Sequence, residues 1–281
     1  MRTEQEMFDL ILNFARNDER IRVVWMNGSR ANPNIIRDKY QDFDIVYAVT
    51  EMESFLANDI WLDVFGDRII MQKPDAMELI PPEKWKSFAY LMLFEDGNRI
   101  DLTLVPLEHF QTSLESDRMR ALLMDKDGIV PTLPPSTDED YWLQKPSCKL
   151  FDDCCNEFWW VSTYVAKALV RGQIPYANAH LDIIRRELMR MLSWQAGLAF
   201  GFSFNIGKDY KYLQKYISKE DWKQLMRTWQ MDSSEHIWLS LFEACDLFLK
   251  VSPEVAAKLS CSFSQHDHSV MPYLKQIRSV G

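Results

Sequence analysis

Three stretches decide the fold: Trp25-Met26-Asn27-Gly28-Ser29-Arg30, then Asp42-Phe43-Asp44-Ile45-Val46-Tyr47, then Arg99-Ile100-Asp101-Leu102-Thr103-Leu104. The first closes a short β-branched run, Ile21 to Met26, at a Gly-Ser turn. The second opens a strand over 43–49. The third opens a strand over 99–105, joined to another over 88–94 by the hairpin signal Glu95-Asp96-Gly97-Asn98. Residues i and i+2 of a strand point to the same face. Asp42 and Asp44 therefore project together, while Phe43 and Ile45 face apolar packing. Asp101, between Ile100 and Leu102, is again a charge on an otherwise apolar strand. Carboxylates placed side by side repel unless a cation sits between them. Mg²⁺ suits them, since it takes carboxylate oxygens and keeps sites for phosphate and water. Three acids at strand ends suit metal-assisted phosphoryl or nucleotidyl transfer. Gly28 lets backbone N–H groups approach phosphate closely, and the Ser29 hydroxyl adds a donor. Arg30 has two readings, a phosphate contact or a cap on its own loop.

Outward from this centre, the first half reads as mixed α and β. Phe8, Ile11, Leu12 and Ala15 carry the stripe of an amphipathic helix that ends at Asn17-Asp18, and Arg68 to Met71 is a weaker strand. Residues 131–146, PTLPPSTDEDYWLQKP, are rich in proline and acid and mark a boundary. Beyond it the texture is helical. Ser147 caps a helix to Arg171 with Gly172 just past its end, and Pro175 opens a second helix to about Ala199. Ser218 and Asp221 form a capping box, and a further helix with Ile237, Leu241 and Phe248 stops before Pro253. Seven of the ten tryptophans follow residue 140, enough aromatic bulk for a separate core. The expected architecture is α+β: a domain over 1–135 with a small mixed sheet flanked by helices, then a helical bundle over 147–281.

Apolar residues make up 47% of the 281-residue chain and charged residues 26%, which excludes a wholly disordered protein. No 18-residue apolar run offers a membrane span, and the N-terminus lacks the pattern of a signal peptide. A formal charge of −9 argues against wrapping nucleic acid and suits a cationic ligand. Five cysteines without a CxxC read as reduced thiols of a cytoplasmic protein. Two more D-x-D runs, Asp125-Lys126-Asp127 and Asp138-Glu139-Asp140, lie in polar segments and read as solvated loops. His266-Asp267-His268 reads as a polar loop rather than a metal site. Of Trp159 and Trp160 on the first long helix, only one can face the core. The other, with Tyr164, is free to meet a ligand. Glu157 and Asp182 are candidate contacts for a cationic one. Lys208, just before a helix start, is poorly placed for the helix dipole unless an anion binds there, which points to nucleotide phosphates.

The pattern WMNGSRANPN…DKYQDFDIVY…NRIDLTLVP resembles the nucleotidyltransferase superfamily of the polymerase-β type. With FWWVSTYVAKALVRGQIPYA, HLDIIRRELMRMLSW and GKDYKYLQKYI, the chain is similar to the aminoglycoside 6-adenylyltransferases, which modify streptomycin. The resemblance implies transfer of AMP from ATP to an aminoglycoside hydroxyl. Asp42 and Asp44 would bind Mg²⁺, and Gly28 and Ser29 would hold the triphosphate. Asp101 would be the general base, the favoured role, or a further metal ligand. Partners would be ATP and the aminoglycoside, with no nucleic acid and no membrane. Streptomycin's guanidinium groups match surplus carboxylates and aromatic faces. Two rivals stand beside this reading: a transferase for another small acceptor such as a lincosamide, and a catalytically silent binding protein of antitoxin type.

Overall fold

A computed structural model describes residues 1–79, 87–263 and 266–280. The chain divides into two compact units, Met1–Asp140 and Tyr141–Gly281. The first contains α1 (Glu4–Asn17), β1 (Ile21–Met26), α2 (Gly28–Ala31), β2 (Phe43–Val49), α3 (Met52–Leu56), β3 (Arg68–Gln72), β4 (Phe88–Phe94), β5 (Arg99–Pro106), α4 (Phe110–Glu115) and β6 (Ala121–Asp125). Its six strands form one sheet in the order β3-β4-β5-β2-β1-β6. The central pair, β2 and β5, is parallel, and the other neighbours are antiparallel. The small mixed sheet that the sequence predicts is present, and β6 is an addition to it.

Strand alternation sorts the side chains of the central pair. Phe43, Ile45, Tyr47, Ile100, Leu102 and Leu104 enter the core beneath α1, with Met7 and Ile11 of that helix. The Tyr47 hydroxyl donates to the Ile11 carbonyl at 2.8 Å. A capping box between Thr3 and Glu6 starts the helix, which fixes where its apolar stripe meets the sheet. On the opposite face Val23, Trp25, Val46, Ala48 and Val105 pack with Leu114 of α4. Asp44 and Asp101 have the parity of this second face, at the N-terminal ends of β2 and β5, before the apolar cover begins.

The second unit is helical, as expected: α5 (Cys148–Val170), α6 (Ile174–Phe200), α7 (Lys219–Arg227), α8 (Ser234–Leu259) and α9 (Asp267–Val280). Ser147 caps α5 by accepting from the Leu150 N–H at 3.1 Å. Gly172, at φ +68°, turns the chain into α6. Phe158, Trp159, Leu188, Met191, Leu241 and Phe248 lie in one core, with Phe158 stacked on Phe248 at 3.9 Å between centroids.

Two expectations are corrected here. The last long helix does not stop before Pro253; α8 runs through it to Leu259. Val251, Val255 and Ala256 on either side of the proline are buried, so packing overrides the local break. Nor are all five thiols free. Cys148 at the start of α5 and Cys261 just past α8 form a disulfide, their Cα atoms 5.3 Å apart. Their separation of 113 residues hides the pairing from sequence spacing. Cys154, Cys155 and Cys245 are free and buried.

Candidate active site

The parallel register of β2 and β5 sets Asp44 directly beside Asp101. Asp42 lies just before β2 rather than in it, and is close enough that its charge acts on Asp44 and the Asp101 charge acts on it. All three acids named from sequence are thus brought together. Burial, reinforced by the like charges of Asp101 and Asp42, pushes the Asp44 carboxyl up to about 6. Burial also pushes Asp42 up, against the pull of Arg99. Such a cluster favours a cation.

Arg99, on the same face of β5 two residues before Asp101, is the group that sequence reading missed. Its Nε donates to Asp101 Oδ1 at 2.7 Å and its Nη2 to Asp101 Oδ2 at 2.8 Å. Its Nη1 stands 3.6 Å from Asp42 Oδ2. The i, i+2 spacing that joins Asp42 to Asp44 also joins Arg99 to Asp101, and that was the available signal. The oxygen-only donor set fits Mg²⁺ in chemistry and charge. Among the described residues, no three His, Cys, Asp or Glu side chains stand as a ready metal-ligand group. Both Asp101 oxygens face Arg99 instead.

Gly28 lies against this cluster. It holds φ +73°, and a Cβ there would meet Asp44 Oδ2 at 2.0 Å. The Asn27 N–H donates to the Asp44 carbonyl at 2.9 Å, fixing the turn to the strand that carries the acids. Ser29 follows in the first turn of α2. Of the two readings of Arg30, the structure supports the loop cap. The side chain is buried and its Nε and Nη2 donate to the carbonyls of Asp42 and Gln41 at 3.0 and 2.7 Å. Its guanidinium lies 3.8 Å from the Phe43 ring centroid and its Nη1 is 3.4 Å from Glu4. It holds the chain entering β2 and has no free fork for phosphate.

The acidic run at 138–140 also departs from its expected place. Asp138 is buried rather than solvated, and its carboxylate accepts from Asn32 Nδ2 at 3.2 Å and Asn34 Nδ2 at 2.8 Å. It anchors the loop after α2. Glu139 and Asp140 pair with Arg118, and Asp127 pairs with Arg22.

The remaining candidates lie in the second unit. Trp159 is core, whereas Trp160 is 60% exposed and donates from Nε1 to the Tyr164 hydroxyl at 2.7 Å. Tyr164 meets His180 edge-on at 5.5 Å, and His180 stacks on Tyr176 at 4.0 Å. Tyr176 and His180, four residues apart on α6, extend a partly exposed aromatic row whose α5 members alone are named from sequence. Glu157 is exposed on α5. Asp182 is paired with Arg185. Lys208 is exposed, in a loop where Gly207, Asp209 and Tyr210 all hold positive φ.

Comparison with known proteins gives the family. Residues 1–277 match the family model described as streptomycin adenylyltransferase. The chain is 49% identical to an aminoglycoside 6-adenylyltransferase of Campylobacter jejuni, covering 100% of this chain and 98% of that one. A protein of the same name from Bacillus subtilis (strain 168) is 46% identical, over 99% of this chain and 98% of its own. A crystal structure of an aminoglycoside 6-adenyltransferase from Bacillus subtilis is 42% identical, with 99% of each chain covered and a TM-score of 0.49. From identity sustained over full length, the chain belongs to the streptomycin adenylyltransferase family and, with it, to the nucleotidyltransferases.

Proposed function

We propose that this protein transfers AMP from ATP to the 6-hydroxyl of streptomycin in a Mg²⁺-dependent reaction in the cytoplasm. The observation that carries this reading is the lateral pairing of Asp44 with Asp101 on parallel strands, with Asp42, just before β2, close enough for its charge to act on Asp44. In this reading the unit built on the sheet is catalytic and the helical one, from about residue 147, binds the acceptor.

Asp42 and Asp44 would hold Mg²⁺, which would supply charge neutralisation for the phosphates and the departing pyrophosphate. Gly28 and Ser29 would receive the triphosphate, since the missing Cβ at Gly28 leaves the backbone open beside Asp44. Lys208 would add a charge to the nucleotide phosphates. The acceptor oxygen forms a bond to the α-phosphorus as the bond to pyrophosphate breaks, and its proton passes to the Asp101 carboxylate. The alternative, Asp101 as a further metal ligand, uses the same oxygens. For the acceptor's guanidinium groups, the exposed Trp160 ring and the carboxylate of Glu157 are open, whereas the half-buried Tyr164 ring already has the Lys167 ammonium 4.9 Å from its centroid, which a guanidinium would have to displace. Asp182 is already neutralised by Arg185 and contributes less.

The deciding experiment incubates protein, MgCl₂ and ATP with streptomycin and, separately, a lincosamide, and examines the antibiotics by mass spectrometry. Streptomycin is expected to gain one AMP, with NMR placing it on the 6-oxygen. Modification of the lincosamide alone would replace the acceptor. No product with either would return the chain to a binding role.

A further inference from the structure

Arg99 is the feature of the acid cluster that the transfer chemistry leaves unexplained. Asp42 and Arg99 stand one residue ahead of the first register pair, Phe43 and Ile100, and Asp44 and Asp101 stand one residue after it. Four charged side chains therefore occupy one small area of the sheet face. All three guanidinium nitrogens are directed at the acids: Nε and Nη2 at Asp101, Nη1 at Asp42. Such a fork-to-carboxylate arrangement is among the stronger charged hydrogen-bond geometries. It also occupies one lone pair on each Asp101 oxygen, so a divalent cation could not be held across that edge while the fork is in place. A guanidinium and a metal ion cannot hold the same carboxylate edge, and as like charges they repel at that separation. The Arg99 side chain is 41% exposed, so it can leave the acids without unpacking the core.

We propose that Arg99 is a positioning residue that serves as the internal counter-ion of the acid cluster and competes with the divalent cation for it. Paired with Asp101, it holds the three carboxylates together against their mutual repulsion. Metal arrival requires the fork to release Asp101, which frees that carboxylate for its part in the reaction. This inference rests on the metal-dependent reading above, and its test does not depend on turnover.

The test measures Mn²⁺ binding to the full chain without nucleotide, by electron paramagnetic resonance of the free ion, for wild type, Arg99→Ala and Arg99→Lys. Thermal melting in EDTA accompanies it. Arg99→Ala is expected to bind Mn²⁺ about tenfold tighter, because the substitution removes a like charge a few ångström from the ion. It is also expected to melt lower in EDTA and to regain that loss with Mn²⁺. Arg99→Lys keeps the charge without the fork and is expected to fall between the two. A merely structural arginine would not raise metal affinity when removed. Equal or weaker Mn²⁺ binding by both variants, or no binding by any of the three proteins, overturns the proposal. AMP transfer by wild type is assayed separately. Its absence would remove the functional reading while leaving the Mn²⁺ comparison to decide the role of Arg99.

Discussion

Gly28 is constrained twice, by its left-handed φ and by the carboxylate 2.0 Å from where a Cβ would stand. Gly28→Ala is expected to cost at least about 1 kcal/mol from the backbone alone, and to push the Asp44 carboxylate aside. Urea unfolding gives the first effect and loss of transfer the second. An alanine variant of wild-type stability and rate would mean the turn relaxes freely. Asp44 makes a prediction with a sign. Its carboxyl sits near 6 in the fold against an ordinary 3.8, so between about pH 4 and 6 the folded protein keeps a proton that the unfolded chain releases. Its contribution to stability is full below pH 4 and is lost as pH rises through 6. In EDTA, Asp44→Asn should therefore be more stable than wild type at pH 8, by up to about 3 kcal/mol, and gain nothing at pH 4. The same variant should abolish transfer. Asn and Asp of equal stability at pH 8 would show that the cost of burying the charge beside its neighbours is fully offset. The three acids were legible because strand period and apolar flanks are local signals. Arg30 was not, because its carbonyl partners at 41 and 42 become neighbours only when the chain returns to enter β2.

At the scale of elements, the same contrast between local and returning contacts explains what could be read. The strands at 21–26, 43–49, 88–94 and 99–105 and the helices from Ser147 and Pro175 carry their signals within themselves: alternation, a hairpin turn, a cap. The register that places Asp44 against Asp101 does not appear in either strand alone, and neither does the partner of Cys148. Pro253 shows a local rule giving way to packing, because α8 gains buried residues on both sides of the break. The disulfide ties the start of α5 to the segment after α8, closing a loop of over a hundred residues. In the chain-entropy account such a loop restrains the unfolded state by about 4–5 kcal/mol, and measured values commonly fall to about 2–4. Cys148→Ser should lower the unfolding free energy of oxidised protein, obtained from urea unfolding, by an amount in that lower range. It should change nothing once wild type is reduced with dithiothreitol. A difference that persists in reductant would assign the loss to helix-start packing instead of the bond.

At the scale of the whole molecule, two compact units and a surplus of acid set the terms. Acidic residues number 41 against 32 basic ones. Among the described residues no helix is long and apolar enough to cross a membrane. The stretch 131–146 contains the point, between Asp140 and Tyr141, where one compact unit gives way to the other. Its prolines and charges made that neighbourhood legible, although Asp138 within it is buried and belongs to the first unit's packing. A chain of this charge attracts a polycation over distances that salt controls. If Glu157 and the general acidic field draw streptomycin in, affinity should fall as ionic strength rises, because screening length shortens from ~10 Å at 0.1 M to ~3 Å at 1 M. The exposed ring of Trp160 and the half-buried ring of Tyr164 act at contact distance and are screened far less. Calorimetric titration of streptomycin across that range separates the two contributions. A steep fall that then levels off is expected, with Trp160→Ala lowering the level part and Glu157→Gln flattening the fall. Affinity that does not change with salt would leave the carboxylates no part in holding the acceptor.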